Sequence, residues 1–311
     1  MEVRAGRGGS VQTAVLEAPD DDAHAIREAA RPRHRFVDII ACMEIDELDE
    51  IVSTVAAAEV MARFGRVSTT DITEKTSAFD VVTAADISAE KEVTKAVLAR
   101  WPGTTIIGEE TAGETAELRA QLQSDSALVL DPLDGTKNFV SGLPLFVMMA
   151  AIMRKGRIVG GIIHDPVTRS SAMATEGGGA WLRWENGETQ RLRVADPAPL
   201  GESEAIAGSR FASEPLRSTL SKNLSRLAGH TWFRCAGHEY RLAAAGHVHL
   251  LCYHRLMPWD HAPGWLIHRE AGGYSAHFDG SPFDPGRMEG GLLCAPDADS
   301  WREARSGLID S

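Results

Sequence analysis

The sequence predicts a mixed α/β fold in which helices and strands alternate through two successive halves. Before about residue 195, apolar runs of strand length outnumber amphipathic helical stretches, and after it single strands alternate with helices. The chain has 311 residues, of which 43% are hydrophobic and 24% charged, so it can bury a large core. We therefore expect a layered α/β protein with an N-terminal half over 41–195 and a C-terminal half over 196–311.

The first ordered element is predicted to be a helix that follows a tail. Residues 1–40 show no periodic pattern and are expected to be disordered, and their start lacks the apolar core of a secretion signal. The stretch Glu44–Phe64 places apolar residues on one helical face and stops at Gly65, a common helix end. A second helix is expected to start near Ser88 and to end before Pro102.

Short apolar runs predict a sheet in the first half. The strand-length runs are Thr104–Ile107, Ala127–Leu130, Leu145–Met153, Arg157–Ile163, Ser171–Thr175 and Ala180–Leu182. The dipeptide Asn186-Gly187 is a strong hairpin signal that would close this series. In the second half we expect strands at Ala205–Ala207 and Val248–Tyr253, and helices at Glu214–Ala228, at His238–Ala245 and after Trp259.

Charge and composition exclude several classes of function. A formal net charge of −12 disfavours nucleic acid as a partner, since binding to a polyphosphate needs a basic surface. No stretch has the roughly 20 apolar residues that a membrane helix needs. The four cysteines form no C-x-x-C pair, which predicts free buried thiols in a reducing cytoplasm. We therefore expect a cytoplasmic protein with a small-molecule partner.

Two carboxylates, Asp131 and Asp134, come at the end of the apolar run Ala127–Leu130 and are followed by Gly135 and Thr136. Carboxylates forced together at the end of a buried strand repel each other, and a divalent cation such as Mg²⁺ relieves that repulsion. If Gly135 and Thr136 open a helix, its first N–H groups could bind a phosphate. Alternatively, the two aspartates only cap a turn and a helix. A calcium loop is disfavoured because the ligand spacing differs.

Three motifs give the sequence a specific resemblance. Asp131-Pro-Leu-Asp-Gly-Thr-Lys-Asn-Phe139 resembles the D-P-[IL]-D-G-T-x-N-F signature of the inositol monophosphatase family. Trp259-Asp-His-Ala-Pro-Gly264 with Glu270-Ala-Gly-Gly273 is similar to its second signature, and Gly108-Glu109-Glu110 to its G-E-E element. The resemblance spans about residues 44–300 and implies the family's layered αβαβα sandwich, with a homodimer as the expected assembly.

The resemblance also implies the metal ligands and the chemistry. Glu109, Asp131 and the backbone carbonyl of Leu133 would hold one Mg²⁺; Asp131, Asp134 and Asp260 would hold a second, and a third ion would lie near Glu109. Two close ions suit an in-line displacement by water at phosphorus without a covalent phosphoenzyme. The family pairs the signature threonine with an upstream aspartate to orient the attacking water. Here these would be Thr136 and Asp86 of Val81-Val-Thr-Ala-Ala-Asp86.

Other residues have a role only through the family pattern. Lys75 stands where the family has a lysine on a mobile loop near metal and phosphate, although a solvated surface lysine explains it equally simply. Asp86 taken alone could be a helix cap before Ser88. Five histidines lie between residues 247 and 268 of the C-terminal half, and His261 and His268 would share a helical face, but no H-E-x-x-H zinc pattern is present.

The sequence departs from the family where the substrate alcohol binds. Inositol-selective members have an acidic residue seven positions before the second-signature aspartate, and this chain has Tyr253 there. The run Cys235-Ala-Gly-His238 also differs from the family's G-[ST]-A-A run. A phenol is not a charged acceptor for hydroxyl groups, so the substrate pattern is open. His238, Tyr253 and Arg255 are the candidate determinants of specificity.

The sequence therefore predicts a Mg²⁺-dependent phosphomonoesterase with two or three ions per site. The default substrate is inositol 1-phosphate. Fructose 1,6-bisphosphate, 3'-phosphoadenosine 5'-phosphate and histidinol phosphate remain alternatives, because relatives of one fold can share metal residues and differ in the alcohol pocket. A non-catalytic metal-dependent binding protein is the rival from a different functional class.

Overall fold

The computed structural model describes the backbone of residues 35–66, 72–77 and 80–310, and the side chains of residues 44–66 and 82–310. Residues 1–34 of the predicted tail lie outside these ranges, whereas residues 35–40 already belong to the first helix. The residues Val37–Ser311 form one compact unit. The predicted division near residue 195 stays a prediction. None of the helices in the described ranges is both long and apolar enough to cross a membrane.

Helices and strands alternate as the sequence predicts. The helices are α1 (Arg35–Val55), continued by a π-helical segment Ala56–Met61, α2 (Ala84–Arg100), α3 (Thr115–Leu122), α4 (Thr136–Val140), α5 (Leu216–Asn223), α6 (Ala236–Ala244), α7 (Pro258–Glu270) and α8 (Ala298–Leu308). The strands are β1 (Ile72–Ser77), β2 (Asp80–Thr83), β3 (Thr105–Gly108), β4 (Ala127–Asp134), β5 (Val147–Arg154), β6 (Arg157–Asp165), β7 (Ser170–Thr175), β8 (Gly179–Trp184), β9 (Thr189–Arg191), β10 (Glu204–Ala207), β11 (Gly229–Thr231), β12 (Leu250–Tyr253), β13 (Tyr274–His277) and β14 (Leu292–Ala295).

The strands form two large sheets and one small one. The seven-stranded sheet has the order β3-β4-β5-β6-β7-β8-β9, in which only β3 and β4 are parallel. The five-stranded sheet has the order β11-β10-β12-β14-β13, with β11, β10 and β12 parallel. Strands β1 and β2 pair separately as an antiparallel hairpin.

Three buried apolar clusters show how the layers pack. The first joins α1 and α2 to one face of the seven-stranded sheet, through residues such as Val52, Val93 and Leu130. The second fills the space between the two large sheets with α6 and α7, and the third packs α5 and α8 on the outer face of the five-stranded sheet. Successive strand residues point to opposite faces, so Val129 belongs to the second cluster and Leu130 to the first. The layers are therefore αβαβα, which confirms the predicted fold.

Most element boundaries agree with the prediction, but α2 starts at Ala84 rather than near Ser88. Thr83 caps the helix: its Oγ1 accepts a hydrogen bond from the N–H of Ala85 (3.1 Å), and its own N–H donates to Asp86 Oδ2 (2.8 Å). This reciprocal capping box satisfies backbone groups that a helix start otherwise leaves unpaired. Asp86 is therefore inside the first turn of α2 and not a cap that precedes the helix.

Candidate active site

Three predicted carboxylates meet at one end of a cavity. Glu109, Asp131 and Asp260 each offer an oxygen that lies within 4.8 Å of the other two. Asp131 is only 1% exposed. Carboxylate oxygens are the ligands that Mg²⁺ and Ca²⁺ prefer, and a group of this size fits a divalent cation. The structure thus brings together three of the four predicted carboxylate ligands.

The fold explains why these three residues converge. Strands β3 and β4 are parallel neighbours, so Glu109, which follows β3, lies beside Asp131 near the carboxyl end of β4. The N–H of Glu109 extends this pairing by donating to the carbonyl of Leu130 (3.1 Å). Asp260 comes from the opposite layer, in the first turn of α7, where Pro258 starts the helix. Ligands thus come from two strand ends and one helix start.

Burial and mutual repulsion raise the pKa of the cluster. The pKa of Asp131 is well above its usual range because the carboxyl is buried, with further increases from the charges of Glu109, Asp134 and Asp260. Burial and the charges of Glu109 and Asp134 likewise raise the pKa of Asp260, although Arg255 opposes this. Buried carboxylates that cannot all ionise together are a strong reason for a cation at this place. The donor set therefore fits a hard divalent metal ion.

Asp134 is held slightly apart from the other three carboxylates. Its Oδ2 accepts hydrogen bonds from the N–H of Gly237 (2.6 Å) and from the Cys235 thiol (Sγ–Oδ2 3.2 Å) at the start of α6. Burial raises its pKa to about 6, while these hydrogen bonds act in the opposite direction. The pairing of β4 with β5 shifts register between Asp131 and Asp134, which separates the two side chains. A role for Asp134 in a second metal site stays a prediction.

The predicted water-orienting pair is in contact. Thr136 Oγ1 lies 3.0 Å from Asp86 Oδ1 and 2.8 Å from the carbonyl oxygen of Leu133, the predicted backbone ligand. Asp86 is buried, and burial raises its pKa to about 6 despite hydrogen bonds from Thr83 and Thr136. The hydroxyl proton of Thr136 can be donated to either acceptor, so Thr136 links the Asp86 carboxylate of α2 to the end of β4, which carries Leu133.

Gly135 is required by the turn between Asp134 and Thr136. Its φ is +88°, a left-handed conformation, and a Cβ added there would lie 2.7 Å from the carbonyl oxygen of Leu145. Gly135 and Thr136 both line the cavity, as expected for the predicted phosphate contacts. The helix that follows, α4, has only five residues, so we assign no separate anion site to its start.

The remaining signature residues take part in contacts that stabilise turns of the backbone. Glu90 Oε2 accepts a hydrogen bond from the N–H of Glu110 (2.9 Å), and a Cβ at Gly108 would lie 2.3 Å from the Glu90 carboxyl. The carboxyl of Glu270 accepts hydrogen bonds from the N–H groups of Gly177 and Gly179, both 3.0 Å. These residues therefore fix turns and do not themselves offer ligands to the cavity.

The cavity has a volume of about 450 Å³ and extends well beyond the carboxylates. Such a volume lies in the usual range of small-molecule sites. Its wall includes cationic and aromatic residues that sequence reasoning missed: Lys137, Arg210, Phe211, Trp232 and Arg234. No motif contains the last four residues together. They are brought to one place by the five-stranded sheet, a relation that local sequence patterns do not reveal.

The predicted specificity residues have different positions. Tyr253 and Arg255 line the cavity, but His238 is not among its lining residues, and its ring bonds instead to the backbone of Phe146. The next residue, Glu239, lines the cavity, where it accepts a hydrogen bond from the N–H of Phe233 (3.1 Å). Burial raises the pKa of Glu239 to about 8. The prediction for His238 therefore needs correction, because α6 presents Glu239 to the cavity in its place.

The remaining predicted features are Lys75, two histidines and the cysteines, of which His261, Cys235 and Cys252 line the cavity. The backbone of Lys75 belongs to β1, but its side chain is outside the described residues. His261 bonds to the Tyr240 hydroxyl (3.1 Å) and the Arg255 carbonyl (3.0 Å), and His268 bonds to Ser275 Oγ (3.1 Å). Both histidines are buried polar groups with protein partners, an arrangement that fits a structural role rather than zinc binding. Cys235, Cys252 and Cys294 are buried free thiols, as expected.

Comparisons with known proteins agree with this architecture. The model of the inositol monophosphatase family matches residues 43–310. The inositol-1-monophosphatase of Caulobacter vibrioides is 33% identical over 73% of this chain and 88% of its own length. The fructose-1,6-bisphosphatase/inositol-1-monophosphatase of Thermotoga maritima is 32% identical over 71% of this chain and 80% of its own. An IMPase structure from Thermotoga maritima covers 86% of this chain and 94% of its own, with a TM-score of 0.68 and 26% identity. The chain therefore belongs to the inositol monophosphatase family of phosphoric monoester hydrolases.

Proposed function

We propose that this protein is a Mg²⁺-dependent phosphomonoesterase that hydrolyses a small phosphorylated alcohol through attack by water. The observation that carries the proposal is the convergence of Glu109, Asp131 and Asp260 within 4.8 Å at one end of a cavity. Their raised pKa values are the expected result of crowding acids at a place where a cation would compensate them.

Three residues would hold the first ion: Glu109, Asp131 and the carbonyl of Leu133. Asp131, Asp134 and Asp260 would hold a second, and a third would lie near Glu109. When bound, Mg²⁺ supplies positive charge that lowers the pKa of water and stabilises negative charge on the leaving oxygen. The hydrogen bonds from Cys235 and Gly237 both go to Asp134 Oδ2, so its other carboxylate oxygen would be the one offered to the second ion.

The chain itself contributes orientation and proton transfer. Thr136 can donate its hydroxyl proton to Asp86 and at the same time accept a hydrogen bond from water, which holds the water oxygen toward phosphorus. Lys137 and Arg255 line the same cavity and place positive charge near a phosphate bound beside Gly135. Lys75 is proposed as a further phosphate contact from the family pattern alone. No residue is required to form a covalent bond to phosphorus.

Inositol 1-phosphate is the default substrate because of the family, with fructose 1,6-bisphosphate, 3'-phosphoadenosine 5'-phosphate and histidinol phosphate as alternatives. Tyr253 lacks the charge of the family's acidic residue, but Glu239 lies close to it and lines the same cavity. We propose that Glu239, in its ionised form, supplies the charged acceptor for a substrate hydroxyl, from a helix instead of the strand end. Because burial raises its pKa to about 8, the ionised form predominates only above that pH. By the same resemblance, the protein is proposed to be cytoplasmic and to form a homodimer. Light scattering tests the proposed oligomeric state.

Phosphate release from these four compounds, measured with Mg²⁺ and with EDTA, tests the proposal. We expect Mg²⁺-dependent release by the wild type and almost none by Asp131→Asn. Glu110→Gln is a matched control, because Glu110 is an acid next to the cluster but is not one of its members. If Mg²⁺ raises the melting temperature but no compound releases phosphate, the non-catalytic binding protein becomes the better account.

A further inference from the structure

Two aromatic side chains and an arginine are grouped in the wall of the cavity, and we call this group the aromatic rim (Arg210, Phe211 and Trp232). The rings of Phe211 and Trp232 meet edge to face with their centroids 5.8 Å apart. The Cζ atom of Arg210 lies 5.9 Å from the centroid of each ring. All three residues line the cavity that contains the carboxylates.

The aromatic rim is exposed although it is apolar. Phe211 is 56% exposed and Trp232 is 40% exposed, and both belong to one contiguous surface. Scattered single apolar residues on a surface are ordinary, but adjacent large aromatic residues in a cavity wall are typical of binding sites. Burying this surface against a ligand would remove apolar area from water, which favours binding.

The topology places the aromatic rim where ligands bind to open α/β sheets. The chain leaves β10, returns to β11 on one side, and then returns to β12 on the other, with all three strands parallel. Phe211 follows β10 and Trp232 follows β11, so both lie beyond the carboxyl ends of the strands. The crevice at such a reversal of strand order is the usual ligand site of open parallel sheets.

The chemistry of the aromatic rim favours a planar ring over a polyhydroxylated one. The phenyl ring of Phe211 offers no hydrogen-bonding group, and Arg210 and Trp232 can only donate, so the protons of hydroxyl groups buried against the rim would lack an acceptor. A planar ring instead stacks on aromatic side chains and on the plane of a guanidinium group. The three flat groups of Arg210, Phe211 and Trp232 therefore match a flat ligand group.

From this geometry we propose that the aromatic rim binds a planar aromatic ring carried by the alcohol part of the substrate, while the phosphate lies at the carboxylates. The inference rests on the proposed phosphomonoesterase function and adds the substrate class: phosphomonoesters whose alcohol carries an aromatic or heteroaromatic ring. Trp232 and Phe211 are then determinants of specificity that act on binding, not on the bond that breaks.

A matched pair of substrates isolates the planar ring. The esters 2-phenylethyl phosphate and 2-cyclohexylethyl phosphate have the same carbon skeleton and similar primary leaving groups, but only the first is planar. For the wild type with Mg²⁺ we expect kcat/KM to favour the phenyl ester about 5- to 150-fold, the range of stacking on an aromatic side chain. Trp232→Leu and Phe211→Leu should bring this ratio close to one. Tyr274→Leu, which changes an exposed aromatic residue outside the cavity, should leave the ratio unchanged.

The outcomes separate the inference from the proposed function. The proposal for the aromatic rim is overturned if the wild type hydrolyses both esters with nearly equal kcat/KM. It is also overturned if Trp232→Leu and Phe211→Leu do not change the ratio of the two kcat/KM values. Either result leaves the proposed phosphatase function intact. If neither ester is hydrolysed, calorimetric Kd values for the same two esters decide. If the phenyl ester binds more tightly and this preference depends on Trp232, the result supports ring binding by the aromatic rim although the proposed function has failed. Equal Kd values for the two esters refute ring binding by the rim.

Discussion

Replacement of Asp131 by asparagine should stabilise the metal-free protein while it removes the response to Mg²⁺. Asp131 is 1% exposed and lies within 4.8 Å of carboxylate oxygens of Glu109 and Asp260. At that distance and an effective dielectric constant of about 20, two charges repel by roughly 3.5 kcal/mol. Asparagine keeps the oxygen that accepts the hydrogen bond from the N–H of Leu133 (2.9 Å). The variant therefore loses the acidic group, which must either repel its neighbours or retain a proton, without losing that contact.

The size of the effect follows from the raised pKa of Asp131. Because the folded protein retains a proton that the unfolded chain releases near pH 4, the free energy of unfolding of the wild type falls as pH rises. The fall is at most about 1.4 kcal/mol per pH unit for one proton. It ends once pH exceeds the pKa of the folded state. Asparagine does not titrate, so its advantage in EDTA should grow between pH 5 and pH 7 by at most about 3 kcal/mol.

Urea unfolding in EDTA at several pH values, repeated with Mg²⁺, measures both effects. Asp49→Asn is the matched control, since Asp49 is also a buried aspartate but pairs with Arg183. That variant should be less stable than the wild type, because Arg183 loses a charged partner, and it should keep the Mg²⁺ response. The reasoning is refuted if Asp131→Asn is destabilised in EDTA at every pH, or if Mg²⁺ stabilises it as much as the wild type.

Three further predictions concern the proposed active site. Thr136→Ala should lower kcat about 10²- to 10⁴-fold with little change in KM, because the hydroxyl that links water to Asp86 is lost. Thr136→Ser keeps that hydroxyl and should retain most activity. An effect of Thr136→Ala on KM alone would contradict this role. Glu239→Gln should raise KM for inositol 1-phosphate more than it lowers kcat, whereas Tyr253→Phe should change KM less, and equal effects would remove Glu239 as the hydroxyl acceptor. In the wild type, the rise in Tm on adding Mg²⁺ should be larger at pH 8 than at pH 5, because protons compete with the ion for the carboxylates; a constant rise would argue against binding at this cluster.

The sequence predicts the layered fold because most elements carry their own signal. The run Ala127–Leu130 is apolar and becomes a buried strand of the seven-stranded sheet, and the periodic face of α1 is buried as expected. Elements without such a signal were not predicted. Strand β13, Tyr274–His277, mixes polar and apolar residues, and β14 is a run of only four residues between glycines and an Asp/Pro segment. Strand β14 pairs with β12 on one side and with β13 on the other, and both β13 and β14 owe their conformation to these pairings.

The candidate site is predictable in its carboxylates and not in its wall. Glu109, Asp131 and Asp260 lie in motifs, so the sequence identifies them before the fold is known. Phe211 and Trp232 lie in segments with no pattern, and their contact exists because β10 and β11 are parallel neighbours. The sequence predicts a role for His238 and does not identify Glu239, because sequence alone does not establish which face of α6 meets the cavity. One residue along a helix turns a side chain by about 100°.

The cluster also shows how this fold tolerates an acidic centre between its layers. Asp260 lies in the first turn of α7, where the helix dipole favours negative charge, and Arg255 opposes the rise of its pKa. No cation lowers the pKa of Asp131, and only the hydrogen bond from the N–H of Leu133 opposes its rise. Burial raises the pKa of both aspartates in the metal-free protein, so a divalent ion must displace the protons that they retain in order to bind. Since the two ligands come from different layers, binding of the ion would also join the β4 end to the start of α7.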